Sequence, residues 1–257
     1  MKKYITLAAL LAAGAVSANA AQLVVSYDSF LSATQKGNES NNTMKTSNGY
    51  SPTFENGVAK FNGTGQGDVL FLDGTAIDAL SIGKNAGFSI TLELSNLSYG
   101  NGNGTIFSIN QSGGAWGLDV KKDSSNTFIG HWSGNQNSSG YNAEKTKIPV
   151  DKFLLTVTQQ GRDTTLYING EHYHTFSGLG TTNTATQVTQ INIGNSNAGN
   201  SGVTMDLSKL YIHDSYMSAD QISTFISTIP EPSAFGMLAG VGALALVASR
   251  RCRTQKI

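Results

Sequence analysis

Cysteine is all but missing from this chain. The single one, Cys252, stands near the C-terminus, beyond an apolar run. The rest of the chain therefore has no disulfide, even in an oxidising compartment, and must be held by a packed core. Charge is scarce as well, at 13% of 257 residues with equal numbers of each sign. Four histidines, His131, His172, His174 and His213, offer little material for a nucleophile–base constellation, and none stands out. No repeat with a period of 20–50 residues is present, which excludes solenoids and propellers. What fills the space is 29 glycines with abundant Asn, Ser and Thr. That mixture suits short strands joined by many turns, with a neutral polar surface.

The most informative stretch is Phe153 to Phe176, FLLTVTQQGRDTTLYINGEHYHTF. Phe153, Leu155 and Val157 alternate with Leu154, Thr156 and Thr158, which is strand periodicity. Gln160-Gly161-Arg162-Asp163 is turn chemistry, and Leu166 and Ile168 then alternate with Thr165 and Tyr167. Asn169-Gly170 is a strong hairpin signal, because both residues tolerate positive φ. Three consecutive antiparallel strands follow.

Elsewhere, strands are expected at Leu23–Val25, Val58–Phe61, Asp68–Leu72, Gly87–Leu97, Thr105–Ile109, Trp116–Val120, Thr127–Trp132, Gln190–Gly194 and Thr204–His213. The last does not keep a strict period, which points to a bulge near Ser208. Leu23–Val25 is expected to pair at an edge. Tyr27 to Ala33 reads as a helical turn and Thr75 to Leu80 as a short helix. A second short helix opens at Ser218, the N-cap, with Gln221 at the capping-box position. Thr34–Tyr50 and Ser133–Thr146 read as polar loops. Many short strands with turn signals every 8–12 residues mean an all-β antiparallel sandwich or barrel.

The two ends read differently from the middle. Lys2 and Lys3 precede an apolar region from Ile5 to Val16, and Ala18-Asn19-Ala20 is a cleavage signal. Signal peptidase is thus expected to cut between Ala20 and Ala21. At the other end Pro230-Glu231-Pro232 is followed by an apolar run from Ala234 to Ala248, then Arg250, Arg251, Arg253 and Lys256. As a helix this run spans about 22 Å, short of a hydrocarbon core of about 30 Å, and the basic cluster should stay cytoplasmic. The order of motif, short transmembrane helix and basic cluster resembles the PEP-CTERM sorting signal of Gram-negative bacteria; the alternative is an ordinary tail anchor. The resemblance implies an exosortase-type enzyme that recognises Pro230, Glu231 and Pro232 and removes the helix. It implies export across the inner membrane, transient anchoring, and then release to the cell surface or extracellular matrix. Without both ends the domain carries five more acidic than basic side chains, which argues against a nucleic-acid partner.

Within the body of the chain, Gly87-Phe88-Ser89-Ile90, Trp116-Gly117-Leu118, Leu166-Tyr167-Ile168-Asn169-Gly170, Ile191-Asn192-Ile193-Gly194 and Asp206-Leu207-Ser208-Lys209-Leu210-Tyr211 follow one another in order. Together they resemble the laminin G-like branch of the concanavalin A-like lectin/glucanase superfamily. The resemblance implies a two-sheet antiparallel jelly-roll sandwich. The expected organisation is a signal peptide over 1–20, an N-terminal strand and polar loop over 21–57, the jelly-roll domain over 58–227 and the sorting segment over 228–257. The fold hosts lectins, adhesion modules and hydrolases alike.

The chemistry favours binding over catalysis. The laminarinase branch places its acids as Glu-x-Asp-x-x-Glu, and no glutamate of this chain has Asp two positions later. Glu93 is the only one well inside an expected strand, and Ser95 and Leu97 supply no partner carboxylate. His172 and His174, two apart, should share a strand face; that spacing would bind a metal only if Glu171 or another strand supplied further ligands, no third ligand is evident, and a solvated face is the plainer reading. No cofactor is expected; calcium, held by some laminin G-like domains, has Asp119, Asp123, Asp206 and Asp214 as candidates without a calcium-loop signature. Asp206 reads better as a structural hydrogen-bonding group. Sugar rings stack on aromatic faces while amides bond their hydroxyls. Trp132 with Asn135, Gln136, Tyr141 and Asn142 is the best such cluster, ahead of Tyr99 near Asn101, and Trp116 belongs to the core. The expected function is a surface-directed, non-catalytic protein binding polysaccharide or host glycan. The alternatives are a structural or adhesion component of the matrix without a small ligand, and a glycoside hydrolase.

Overall fold

The computed structural model describes residues 21–31, 44–46, 50–63, 68–82, 87–98, 104–111, 114–122, 127–133, 136–141, 147–149, 151–161, 163–177, 188–195 and 202–229. The expected signal segment, with Ala20, and the sorting segment from Pro230 on, with Glu231 and Pro232, lie outside the described residues. Among those described, no helix is long and apolar enough to cross a membrane. In chain order the elements are β1 (Leu23–Tyr27), β2 (Lys45–Thr46), β3 (Thr53–Glu55), β4 (Val58–Phe61), β5 (Leu70–Leu72), α1 (Gly74–Ala79), β6 (Gly87–Ser98), β7 (Gly104–Gln111), β8 (Gly114–Lys122), β9 (Thr127–Ser133), β10 (Gln136–Tyr141), β11 (Phe153–Gln160), β12 (Asp163–Ile168), β13 (Glu171–Phe176), β14 (Val188–Ile193), β15 (Thr204–His213) and α2 (Ala219–Thr228).

The strands form two antiparallel sheets. One runs β13-β12-β11-β6-β15-β4-β3, with β1 also on β15, and the other runs β10-β9-β8-β7-β14-β5-β2. The fold is the two-sheet jelly-roll sandwich that the sequence leads one to expect. Alternation builds its core. Phe88, Ile90, Leu92 and Leu94 of β6 face Ile109, Trp116, Leu118 and Ile191 of the other sheet's inner side within one cluster, all fully buried. Burying one such side chain stabilises the fold by about 1.5–3 kcal/mol. Trp116 packs edge-on to Phe107 and stacks near Phe88. Gly194 ends β14 at φ +93°, where a Cβ would overlap the Phe61 ring, so two independent reasons require glycine.

Several details depart from the sequence reading. The expected helical turn from Tyr27 to Ala33 is not formed over its described residues, 27–31: Tyr27 closes β1. Phe30 then stacks on it with centroids 5.2 Å apart and donates its N–H to Gly57 O at 2.7 Å, so this backbone group is tied to a neighbouring turn instead of its own. That turn, Asn56-Gly57, has φ of +53° and +79° and joins β3 to β4. It is the same chemistry as Asn169-Gly170 at +52° and +85° between β12 and β13. The polar segment after Trp132 contains β10, which pairs with β9; an open strand edge recruits backbone whatever its composition. β1 pairs with β15, and β2 adds two residues to β5.

The outer side of the eight-stranded sheet is covered by α2. Tyr167, Met217 and Ile222 form a second cluster with Phe225 and Ile226. Ser218 accepts from Gln221 N–H at 3.3 Å, and the Gln221 side chain accepts from Ser218 N–H at 2.8 Å, so the expected capping box is in place. The expected bulge at Ser208 is there too, as a register shift between Leu207 and Lys209 against β6. It brings two donors onto one acid. Ser208 Oγ donates to Glu93 Oε1 at 2.6 Å, Lys209 Nζ stands 3.4 Å from Oε2, and Lys152 Nζ stands 2.9 Å from Oε1. Glu93 is 5% and Lys209 8% exposed. Burial works to raise the Glu93 pKa, but hydrogen bonds from Ser208 and Lys152 and the charges of both lysines outweigh it and hold the carboxyl below its usual range.

Two histidines are buried with ring nitrogens that have no hydrogen-bond partner among the described residues. His131, 2% exposed, lies between Trp116 at 5.3 Å and Phe176 at 5.1 Å, and neither ring nitrogen has a hydrogen-bond partner among the described residues. Burial pushes its pKa down to about 4. His213, edge-on to Phe225 at 4.7 Å, is pushed down by burial to about 4 against the opposing pull of Asp214.

Two outcomes are expected. Each depressed histidine contributes stability that is complete above pH 6.5 and lost as pH falls toward about 4. Thermal melts should therefore weaken by roughly 2–3 kcal/mol per histidine between pH 6.5 and 4.5. This is above the range where Glu93, with its lowered pKa, takes up protons, and His131→Phe should flatten that slope. Glu93→Ala removes the carboxylate facing the buried Lys209 and should cost about 3–5 kcal/mol in denaturant unfolding, whereas Glu93→Leu combined with Lys209→Met should recover most of it.

Candidate functional site

The inward set Leu70, Leu72, Phe107, Ile109, Trp116, Leu118, Val120, Ile191 and Ile193 is fully buried, so the intervening residues of these strands belong to the outer face of the seven-stranded sheet. Register aligns them in rows. One row runs Lys45, Phe71, Asn192, Ser108, Gly117 to the backbone of Trp132. The next holds Gln190, Asn110 and Ala115. On the other side, Thr105, Asp119 and Gly130 lead to the backbone of Tyr141. Trp132 and Tyr141, well apart in sequence, are thus each registered beside a glycine, on adjacent rows.

The amides of the first two rows are wired together. Asn110 Nδ2 donates to Gln190 Oε1 at 3.3 Å, and Gln190 Nε2 donates to Asn192 Oδ1 at 2.7 Å. Asn192 Nδ2 donates to Ser108 Oγ at 3.1 Å, and Ser108 Oγ donates to Asn195 O at 3.4 Å. Asn192 is 1% exposed and Ser108 is buried with it, whereas Asn110 and Gln190 are half-buried. The buried pair therefore fixes the orientation of the two amides that reach the surface. Those amides keep hydrogen-bonding capacity beyond the ladder, since a primary amide has two donors and two acceptor sites. Charges near the rows are matched. Asp119, buried, accepts from Thr105 Oγ1 at 2.8 Å and faces Lys121 Nζ at 3.3 Å, and Lys45 pairs with Asp73. Among the described residues, the rows thus offer neutral amides and hydroxyls beside matched charges.

Of the residues expected to bind ligand, Asn135 and Asn142 lie outside the described residues, as do Tyr99 and Asn101. Trp132, Gln136 and Tyr141 are described in backbone only. His172 and His174 do not share a face. The register shifts between Leu166 and Tyr167, so that Leu166 pairs with His174 and Tyr167 with His172. A bulge at Tyr173 absorbs one residue and turns the two rings apart. His174 packs on Phe176 at 4.5 Å, and His172 bonds Thr175 Oγ1 at 3.0 Å.

The candidate calcium acids are dispersed. Asp206 accepts from Asn96 Nδ2 at 2.6 Å, and Asp214 accepts from Gln22 N–H at 2.9 Å and Ser215 Oγ at 3.0 Å. Asp123 lies outside the described residues, and no group of three or more potential metal ligands occurs among the described ones. Glu93 and Asp119, the buried carboxylates of the described residues, stand on the outer sides of opposite sheets. The ladder itself was open to sequence reading: Ser108-x-Asn110 and Gln190-x-Asn192 alternate polar with apolar, but only the pairing of β7 with β14 brings the two pairs together.

Comparison with known proteins agrees with this architecture. A laminin G-like family model, described as the concanavalin A-like lectin/glucanases superfamily, matches residues 72–223. A second, the PEP-CTERM protein-sorting motif, matches residues 228–251. No curated protein matches the chain. A mutant sialidase of Trypanosoma rangeli with trans-sialidase activity superposes with a TM-score of 0.61 at 12% identity, over 79% of this chain and 32% of the sialidase. The chain thus spans about a third of that relative. Domain 4 of AbnA, a GH43 extracellular arabinanase from Geobacillus stearothermophilus in complex with arabinotriose, superposes with a TM-score of 0.56 at 17% identity, over 80% of this chain and 98% of that domain. At these identities the likeness is one of fold. The chain belongs to the concanavalin A-like lectin/glucanases superfamily, as a laminin G-like domain that continues into a PEP-CTERM protein-sorting motif.

Proposed function

We propose that this protein is an exported, non-catalytic carbohydrate-binding domain, and that its ligand lies along the outer face of the seven-stranded sheet. The observation that carries the reading is the amide ladder, in which buried Asn192 and Ser108 orient half-buried Asn110 and Gln190. Prefixed donors and acceptors lose little entropy on binding hydroxyls. The rows lead through Gly117 and Gly130 to Trp132 and Tyr141, which we take as the stacking residues, with Asn135, Gln136 and Asn142 nearby in sequence. Because Asp119 and Lys121 neutralise each other, the face suits a neutral polysaccharide better than an acidic one.

A glycoside hydrolase would need two carboxylates about 5–9 Å apart. The separation of Glu93 and Asp119 onto opposite sheets favours binding over hydrolysis. The sorting motif marks the chain for export and for membrane or surface sorting in a Gram-negative envelope. We take an exosortase-type enzyme and signal peptidase as its processing partners and the cell surface or matrix as its destination.

The Ala21–Thr228 domain should be retained by neutral polysaccharides in affinity electrophoresis and on a glycan array. Asn110→Ala and Gln190→Ala should each weaken retention about 10-fold, the loss of one or two hydrogen bonds; melting should change by no more than about 0.5 kcal/mol for Asn110→Ala but fall by about 1–3 kcal/mol for Gln190→Ala, which strands the buried Asn192 Oδ1. Trp132→Ala should weaken it by about 10-fold or more. Chelation of divalent ions should change nothing, because Asp119 is already paired. A folded domain that binds no glycan would move the assignment to a matrix or adhesion role, and newly released reducing ends would move it to catalysis.

A further inference from the structure

The two ends of the described chain meet on one patch of the eight-stranded sheet. Ala21 packs against the Tyr167, Met217 and Ile222 cluster that seats α2. Gln22 is fixed beside it: its N–H donates to Asp214 Oδ1 at 2.9 Å, and its carbonyl accepts from Asp214 N–H at 3.0 Å. At the other end, Ile222 is fully buried and Phe225 lies edge-on to Tyr211 at 5.2 Å and to His213 at 4.7 Å. The helix stops at Ile229, whose N–H bonds Ile226 O at 3.1 Å. The next residue is Pro230, and only Pro230-Glu231-Pro232-Ser233 separates Ile229 from the apolar run that begins at Ala234.

Four residues reach at most about 14 Å when fully extended. A domain of roughly 200 residues is about 40 Å across. A tether that short cannot let the domain roll over, so the patch from which it leaves stays next to the surface in which it is anchored. We propose that the α2 side of the eight-stranded sheet lies against the lipid headgroups of the bilayer while the tail is in place, and that the outer face of the seven-stranded sheet is thereby turned away from the membrane. The outward side of α2 is compatible with this contact. Ser223, Thr224, Ser227 and Thr228 are exposed there, and Asp220 is the helix's only charged side chain, so anionic headgroups meet little repulsion. Ala21, where the signal peptide would be cut, opens on the same patch, so a precursor still held by both ends keeps the same orientation. The inference rests on the tail acting as an anchor, as expected from its sequence, before the processing proposed above.

The test uses the chain from Ala21 to Ile257, without the signal segment and with Cys252→Ser, so that the tail is the apolar anchor under test and a single introduced cysteine can carry a fluorophore. Thr224→Cys and Ser227→Cys mark α2, and Lys45→Cys marks the outer face of the other sheet. The labelled proteins are reconstituted in phosphatidylethanolamine–phosphatidylglycerol vesicles containing headgroup spin-labelled lipid. Quenching should be several-fold stronger at 224 and 227 than at 45, and should vanish at all three in a chain ended at Ile229. Co-flotation with vesicles but equal quenching, or stronger quenching at 45, would overturn the orientation alone. Absence of co-flotation would overturn the anchor reading and the proposal with it. Selective quenching that survives removal of the tail would overturn the tether as its cause.

Discussion

The pairing of β15 with β6 is the interaction on which the rest of this sandwich depends. The two longest strands lie side by side at the middle of one sheet, and β15 also carries β4 along one half of its other edge and β1 along the other half. Long-range pairing of this kind costs loop-closure entropy before it returns any contact. The return is a row of fully buried side chains on the inner side and, on the outer side, a buried carboxylate met by two lysines and a serine. The bulge at Ser208 makes both possible, because it re-aims the strand by one residue and sets Ser208 and Lys209 together on Glu93. A buried pair of this type adds little net stability over an apolar replacement, yet half of it alone is costly.

Polar groups on the two sheets are organised for different purposes. Those at the centre of the eight-stranded sheet are sealed beneath α2, where Ser89 bonds the backbone at Ser215 and Met217 and Thr91 bonds Thr156. They close gaps and lock register. Those of the seven-stranded sheet form a ladder that begins in buried Ser108 and ends in half-buried Asn110 and Gln190. A fixed amide at a surface has donors and acceptors to spare, and a network that holds its members in place makes them more useful to a ligand than mobile side chains.

The same asymmetry connects fold to sorting. The helix that covers one sheet runs directly into the sorting motif, and the first residues of the expected mature chain lie beside it. In the orientation proposed above, the side where α2 covers paired polar groups faces the membrane, and the half-buried Asn110 and Gln190 lie on the opposite side. A laminin G-like domain ahead of a PEP-CTERM motif can in this way be displayed without a long linker.

Much of this could be read from the chain itself. Strict alternation in Phe88–Leu94 and Phe153–Val157, Asn-Gly at 169–170, and Ser218 with Gln221 are local signals, and local physics decided them. The irregular period of Thr204–His213 disclosed its bulge for the same reason. Other features have no local signature. β10 and β2 are strands because an open sheet edge accepts polar backbone, and the bulge at Tyr173 that parts His172 from His174 follows from how β12 must present its neighbours. The amide ladder exists only because β14 lies next to β7, some 80 residues away in sequence. Periodicity and capping are properties of a few consecutive residues, so the sequence by itself determined the long core strands, the Asn169-Gly170 turn, the α2 cap and the fold class. Which faces meet, which polar groups are sealed and which reach the surface depend on non-local pairing, and only the tertiary structure decided those.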